Sequence, residues 1–371
     1  MKITCPRSVL LAAISAVSPA IPSKTPSDLL RNICLTVTDA GATLMAADKE
    51  IGIRYEMKDV TSTKNGTVIL PPGRLGQILR EISDETVEME IKGTKINIQA
   101  GSSKFNLQTV EPDSFPAPKG FTEKAYHVVK SGAFKRVIDR VSYAADTEST
   151  RFALGGISID LGTPGQITLI ATDSRRLSAA RTSRTQSGNA FAPDFTQLVV
   201  PVKALKMIAS VLPEGDGDVF IAILPNEIAI KAEGIIMTAR LVEGRFPRYT
   251  DVIPTEFNTT VSAVVGPLLS ATRQAMIVTN EESKGVDFSF ADGNLTLKSV
   301  GAEVGDSEIV IPLQIDGKQL STTFDPKYLS QFLKTLADTD QVIAKFVDCD
   351  SAALFTAGDD YRYVIMPLAR D

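Results

Sequence analysis

The sequence predicts an α+β protein of three similar domains, each with two helices on antiparallel sheets. Three observations predict it. Segments of one kind recur about 125 residues apart, proline-entered helical runs alternate with period-two strands, and 371 residues divide into three units of about 124. A single core stops growing near ~250–300 residues, so the length itself calls for more than one domain. With 43% hydrophobic and 22% charged residues, the composition is that of a globular protein. Cys5, Cys34 and Cys349 form no CxxC and no closed disulfide set, which excludes a stapled secreted scaffold.

The elements follow from local pattern along the chain. Lys2-Ile3-Thr4 followed by Val9, Ala12, Ala13 and Ala16 is matched, 125 residues on, by His127-Val128-Val129 followed by Phe134, Val137, Ile138 and Val141. A third opening begins near Thr259 and continues through Leu268, Leu269 and Met276. The first opening also has the outline of a short signal peptide, with Lys2 and Arg7 before the apolar run 9–17. Its recurrence and the Pro6-Arg7-Ser8 start favour a structural helix and a cytoplasmic protein. No run of 18 apolar residues exists, so no membrane span is expected.

A strand ending in aspartate follows, at 42–48 and again at 166–173, with Asp48 and Asp173 125 residues apart. A β-type run leading through proline into a helix occurs three times, with Pro72, Pro201 and Pro326 spaced by 129 and 125 residues. Alternating strands come next, at 88–92 and 95–99 and at 218–223 and 227–231, the latter pair joined by Leu224-Pro225-Asn226. Strands at 105–111 and 237–243 then run into the Phe-Pro turns at Phe115-Pro116 and Phe246-Pro247, 131 residues apart. Proline- and charge-rich breaks at 112–120 and 252–256 set the domains at 1–120, 121–253 and 254–371. Three such units in series point to a modular arc or ring.

The net charge of −5 argues at first against a nucleic-acid partner. Its distribution reverses that. The expected helices at 7–18, 72–82, 130–145, 202–212, 260–277 and 326–337 hold 12 basic and 2 acidic residues, or +10, leaving −15 elsewhere. If these helices share a surface, it is a positive track for a polyanion held by salt-sensitive phosphate contacts. Lysine and arginine on helix faces also serve solubility, but such faces ordinarily carry glutamate too. No aromatic platform accompanies the basic residues, so single-strand recognition is not favoured.

Catalytic chemistry finds little support. His127 is the sole histidine, in a β-type run and without a partner for an acid–base pair. Asp48 and Asp173 read as strand-end turn residues, with a carboxylate metal site at Asp173 as the alternative. Nucleotide-loop, hydrolase-elbow and zinc-protease motifs are absent. No cofactor or metal is expected.

Three segments carry a family resemblance: Ala171-Thr172-Asp173-Ser174-Arg175-Arg176-Leu177, Leu241-Val242-Glu243-Gly244-Arg245-Phe246-Pro247-Arg248-Tyr249 and Tyr363-Val364-Ile365-Met366-Pro367-Leu368. Through them the whole chain resembles the bacterial sliding clamps, the beta subunits of DNA polymerase III. The resemblance implies the DNA clamp fold, each chain forming half of a closed ring. It implies a head-to-tail homodimer that encircles double-stranded DNA without sequence specificity and slides along it, a non-catalytic processivity factor in DNA replication. The implied partners are the DNA polymerase III alpha subunit, a clamp loader and other proteins with clamp-binding motifs.

The resemblance also implies site residues. A peptide-binding pocket would comprise Leu154, Thr172, Ser174, Arg175, Arg176, Leu177, Pro247, Val252, Val364, Met366, Pro367 and Leu368. Its apolar members would take a partner's leucine and phenylalanine, and its backbone and arginines the polar groups. DNA-facing residues would be Lys24, Arg74, Arg80, Lys135, Arg136, Arg140, Lys203 and Lys206. The dimer interface would hold Arg74, Ile78, Phe105, Leu107, Ile277 and Val278, with strands 104–110 and roughly 295–300 paired edge to edge. Departures from the family pattern are Arg175 where histidine is usual, Asp251 where a member has arginine, an irregular loop at 23–32 and a longer, polar tail at 369–371. Two other readings stay open: a scaffold using only the peptide groove, and an enzyme with a metal at Asp173.

Overall fold

The computed structural model describes residues 1–112, 115–148, 152–188, 197–279, 285–301 and 304–368. The chain forms two compact units. Unit 1 comprises Met1–Gly132, Arg184–Ala192 and Met207–Leu241, and unit 2 comprises Ala133–Ser183, Pro193–Lys206 and Val242–Asp371. The middle third of the sequence thus contributes to both. The reason is backbone pairing: each large sheet takes strands from two consecutive thirds, and ladder hydrogen bonds hold them as one body.

In unit 1 a five-stranded antiparallel sheet runs in the order Thr61–Ser62, Lys2–Pro6, Thr86–Lys92, Lys95–Ala100, Ser103–Gln108. A nine-stranded sheet starts with Thr185–Ser187, Tyr126–Lys130, Asp218–Ile223, Glu227–Ala232 and Ile235–Arg240. It continues through Ile51–Met57, Gly41–Ala47, Ile33–Thr38 and Gly66–Leu70. Helix α1 (Arg7–Val17) packs on strand Ile51–Met57 and beside α2 (Pro72–Glu81). Leu10, Ala13, Ile14 and Val17 of α1 and Leu75 and Leu79 of α2 are buried. Their spacing of three and four keeps them on one face. Each large aliphatic side chain buried this way contributes roughly 1.5–3 kcal/mol. Pro72 opens α2 at a position whose N–H would have no intrahelical partner.

In unit 2 the nine-stranded sheet starts with Gln197–Pro201, Gly156–Asp160, Gln166–Thr172, Arg176–Ser183 and Tyr361–Ile365. It continues through Ala353–Ala357, Gln341–Phe346, Thr259–Val264 and Gln314–Gly317. The four-stranded sheet runs Gly305–Pro312, Asn294–Gly301, Val286–Ala291, Leu320–Phe324. Its core is aromatic: Phe288, Phe324, Phe332, Phe346, Tyr361 and Tyr363 are fully buried, and Phe332 stacks on Tyr363 with ring centroids 4.9 Å apart. Helices α3 (Ser131–Ser142), α4 (Val202–Val211), α5 (Val265–Ala275) and α6 (Pro326–Leu333) complete the six helices of the described residues.

Three expected helices are shorter in the structure by more than one residue. The run expected as helix from 260 is first a strand, Thr259–Val264, because its β-branched residues Thr259, Thr260, Val261 and Val264 favour extended backbone and the segment pairs with Gln341–Phe346. Helix α6 stops at Leu333, where turn bonds from Thr335 N–H to Phe332 and from Asp340 N–H to Ala337 take over. Lys130 belongs to a strand and pairs with Asp218 at 2.8 Å. The helices as formed therefore hold ten basic and two acidic residues, +8, against −13 for the rest of the chain. The asymmetry expected from sequence persists at slightly smaller size.

Candidate functional site

The candidate site on unit 2 is organised around a three-residue turn. Strand Gln166–Thr172 ends, Asp173, Ser174 and Arg175 reverse the chain, and strand Arg176–Ser183 returns beside it. Asp173 Oδ1 accepts from the N–H groups of Arg175 and Arg176, both at 3.0 Å, a side-chain turn of the type short carboxylates favour. The Thr172 hydroxyl donates to the Arg176 carbonyl at 2.6 Å and accepts from Ser174 N–H at 3.1 Å. Ser174 takes the left-handed conformation, φ +73°, that this tight reversal requires.

The turn is fixed from behind by Arg176. Its Nε donates to Asp173 Oδ2 at 2.9 Å, its Nη2 to the Tyr143 carbonyl at 2.7 Å, and its Nη1 to Gln331 Oε1. The guanidinium lies over the rings of Tyr328 and Tyr143, 4.4 and 5.4 Å from their centroids, and the side chain is 8% exposed. The resemblance assigns Arg176 to the polar groups of a ligand. The structure instead turns its donors into the protein, because a buried guanidinium must be paired. Arg175, next to it, is exposed.

Ahead of the turn lies an apolar floor. Leu177 faces Val364 across the ladder between Arg176–Ser183 and Tyr361–Ile365, and both join Ile170, Ala179, Val199, Phe246 and Leu354 in one buried cluster. Pro247, after buried Phe246, is exposed, as are Val252 at 52% and Met366 at 45%. Large apolar side chains left in water beside an apolar cluster mark a docking surface more often than chance. The C-terminal segment is tied down: Met366 N–H donates to the Arg175 carbonyl at 2.9 Å and Leu368 N–H to Thr323 at 2.8 Å, with Pro367 and Leu368 half-buried between water and protein. Leu154 is buried in the turn Phe152–Gly155, and its carbonyl accepts from Asp146 N–H. Tyr249 donates to Asp160 Oδ2 at 2.8 Å; burial and that carboxylate push its pKa up to about 12. Thr172, Ser174, Arg175, Leu177, Val364 and Met366 are thus brought together by two neighbouring strands.

Sequence reading missed the supports. Tyr143, Gln331 and Tyr328 lie 33, 155 and 152 positions from Arg176, and no local pattern ties them to it. Asp173 is occupied by the turn, and among the described residues no cluster of His, Cys, Asp and Glu suits a metal ion. His127 is buried, and burial with the nearby Arg184 charge pulls its pKa down to about 4. All three cysteines are free thiols. No helix of the described residues is long and apolar enough to cross a membrane.

The basic residues expected to face DNA lie on helices, apart from Lys24. In unit 1, Arg74 and Arg80 of α2 are exposed, and so is Lys24 in the irregular segment after the turn Ser18–Ala20. In unit 2, Arg136 of α3 and Lys203 and Lys206 of α4 are exposed and Lys135 is half-buried. Asp139 sits near both Lys135 and Lys206; its pKa is raised by burial, against the pull of the two lysines. Arg140 departs from the expected set. Its side chain is 12% exposed, pairs with Asp360 at 3.1 Å and lies 4.8 Å over the Tyr361 ring, so its charge is used within the fold.

The expected seam residues lie at sheet edges and helix ends. Phe105 and Leu107 are half-buried on Ser103–Gln108, the last strand of its sheet, and Ile78 is half-buried on α2. In unit 2, Ile277 is 75% exposed and Val278 half-buried after α5. The strand expected to offer its edge, near 295–300, is an interior one: Asn294–Gly301 is paired on both sides. The edge belongs to Gly305–Pro312, which carries the exposed Val310.

This arrangement of repeated helix-and-sheet units is the fold of the DNA clamps. A sliding clamp from Bacillus subtilis superposes with a TM-score of 0.92 over 100% of both chains at 24% identity, and the DNA polymerase III subunit beta from Pseudomonas aeruginosa with 0.89 over 100% of both at 25%. Sequence models of the DNA polymerase III beta subunit match in succession, the N-terminal domain at residues 1–119, the central domain at 128–248 and the C-terminal domain at 250–369. The chain belongs to the DNA polymerase III beta subunit family. Its relatives include the beta sliding clamp of Chlamydia pneumoniae, 25% identical over 99% of both chains, and that of Pseudomonas aeruginosa, 26% identical over 99% of this chain and 100% of the relative.

Proposed function

We propose that two copies of this chain close head to tail into a ring around double-stranded DNA, and that the ring slides along the duplex as a non-catalytic processivity clamp. The single observation that carries this reading is the succession of three beta-subunit domains along the chain. The domains proposed are 1–120, 121–253 and 254–371.

Linkage by enclosure needs no tight contact, so exposed basic side chains suffice to hold the duplex through its phosphates without impeding movement. Lys24, Arg74, Arg80, Lys135, Arg136, Lys203 and Lys206 are the DNA-facing candidates. Arg74, Ile78, Phe105, Leu107, Ile277 and Val278 are the seam candidates, with the edges of Ser103–Gln108 and Gly305–Pro312 pairing between chains.

The groove on unit 2 is the tether. Leu177, Val364, Met366, Pro247 and Val252 would seat leucine and phenylalanine side chains of a partner peptide, and Ser174, Arg175 and the turn backbone its polar groups. Such peptides would come from the DNA polymerase III alpha subunit, the clamp loader and other replication or repair proteins, in the cytoplasm. A relative's clamp has been crystallised with griselimycin, which supports a ligand site of this class.

Retention on DNA tests the proposal. Loaded by a matched loader with ATP, the protein should stay on a closed DNA circle and leave once the circle is cut. Equal retention on circular and linear DNA would remove enclosure as the mechanism.

A further inference from the structure

Unit 1 carries the same strand-end construction 125 residues earlier. Asp48 Oδ1 accepts from the N–H groups of Glu50 at 2.8 Å and Ile51 at 2.7 Å, as Asp173 does from Arg175 and Arg176. Strand Ile51–Met57 then pairs with Ile235–Arg240, and Gly52 faces Thr238 just as Leu177 faces Val364. The cleft that remains at this place, about 550 Å³, has Pro116, Pro118 and Lys119 in its wall.

The matching positions differ in chemistry. Where unit 2 has Leu177, Val364 and Met366, unit 1 has Gly52, Thr238 and Arg240, so an apolar floor is replaced by a bare backbone, a hydroxyl and a charge. Two residues along the strand, Arg54 stands where unit 2 has Ala179. The chain itself covers the floor at Gly52. Pro118 is buried against Gly52: a Cβ on Gly52 would lie 2.5 Å from Pro118 Cγ and 2.7 Å from its Cβ, closer than any side chain tolerates. Arg54 Nη1 donates to the Pro118 carbonyl at 2.9 Å, and Lys119 pairs with Glu227 at 3.3 Å. A ring in a notch, a carbonyl on a donor and a charge pinned at the rim are the interactions of a bound peptide.

We infer that residues 116–119 are an internal ligand of this first groove, fitted by Gly52 and Arg54, and that they close it to outside peptides, leaving one open groove per chain. The stoichiometry rests on the peptide reading of unit 2; the seating of 116–119 does not.

Two measurements on the full chain test this: trypsin cleavage after Lys119, and binding stoichiometry for a synthetic peptide bearing leucine and phenylalanine. The wild type should be cut slowly and bind one peptide per chain. Gly52→Ala removes the room for Pro118, and Arg54→Ala removes its donor while leaving the strand's backbone pairing in place. Each should speed cleavage by about tenfold, the scale of losing a hydrogen bond from a charged donor, without changing peptide affinity. Unchanged cleavage in both variants overturns the seating. The triple variant Gly52→Leu, Thr238→Val, Arg240→Met rebuilds the floor of the open groove and should bind two peptides per chain. One peptide with Lys119 readily cut overturns the claim that 116–119 close a peptide groove. A wild type that binds no peptide, with Lys119 protected and the variants cut faster, removes the peptide reading of unit 2 and upholds the internal seating.

Discussion

Asp173 and Arg176 are joined three ways. The carboxylate accepts from the Arg176 side chain at 2.9 Å and from its backbone N–H at 3.0 Å, and Asp173 N–H donates to the Arg176 carbonyl at 3.4 Å. The pair makes a turn into a rigid shelf beside Leu177 and Val364. Rigidity would matter for the proposed peptide site, because a preordered surface loses less entropy on binding.

Asp173→Asn keeps the turn's acceptor and removes the charge. Arg176, 8% exposed, would then be a buried cation without its counterion, at a cost of about 3 kcal/mol. Urea unfolding measures it. A change within the ~0.5 kcal/mol typical of surface substitutions would show the ion pair to be idle.

Met366→Ala should separate binding from stability. The side chain is 45% exposed, so unfolding should scarcely change, while affinity for a leucine- and phenylalanine-bearing peptide should drop about tenfold, or about 1.4 kcal/mol, in calorimetry. Equal affinity would place the peptide elsewhere.

Reversing Lys135 and Arg136 to glutamate should lower polymerase processivity and weaken the salt dependence of DNA retention, by about 0.9 in log–log slope for each phosphate no longer neutralised. Peptide binding should survive. If processivity holds, α3 does not face the duplex.

His127 gives a pH dependence. Its folded pKa is about 4 against about 6.5 unfolded, so between those values the unfolded chain binds the extra proton. Stability is full above about pH 6.5 and falls as pH drops toward 4, by up to about 3 kcal/mol. Urea unfolding at pH 7 and pH 5 should differ for the wild type and differ less for His127→Gln. Parallel pH curves for the two proteins would assign the slope to other groups.

Ile277→Asp tests the seam. The residue is 75% exposed in the single chain, so the substitution should leave monomer unfolding unchanged yet lower the measured mass in sedimentation toward 39.8 kDa. A persistent dimer would move the seam away from the end of α5.

Much of this was legible because repetition writes the same physics three times. Asp48 and Asp173 stand 125 residues apart, and both carboxylates cap the backbone two and three residues on. Pro72 and Pro326 announce helix starts by the N–H they lack. The Thr259–Val264 strand reads as helix in the sequence because its apolar residues suit either period until a neighbouring strand decides. Arg140 and Arg176 read as outward charges; their partners Asp360, Tyr143 and Gln331 are remote in sequence, and nothing near an arginine tells whether it will be drawn inside. Which strand ends a sheet is equally a property of the assembled ladder, which is why Gly305–Pro312 and not its neighbour holds the edge.

The ladder between Ile51–Met57 and Ile235–Arg240 has a consequence for how such a chain is inherited and how it folds. The segment that repeats is about 125 residues long, yet cutting the chain at 120 would leave Ile51–Met57 as a raw, hydrophobic border inviting aggregation. The module that was copied is therefore not the module that folds: a newborn first third must wait for more than a hundred further residues to leave the ribosome before its sheet is complete.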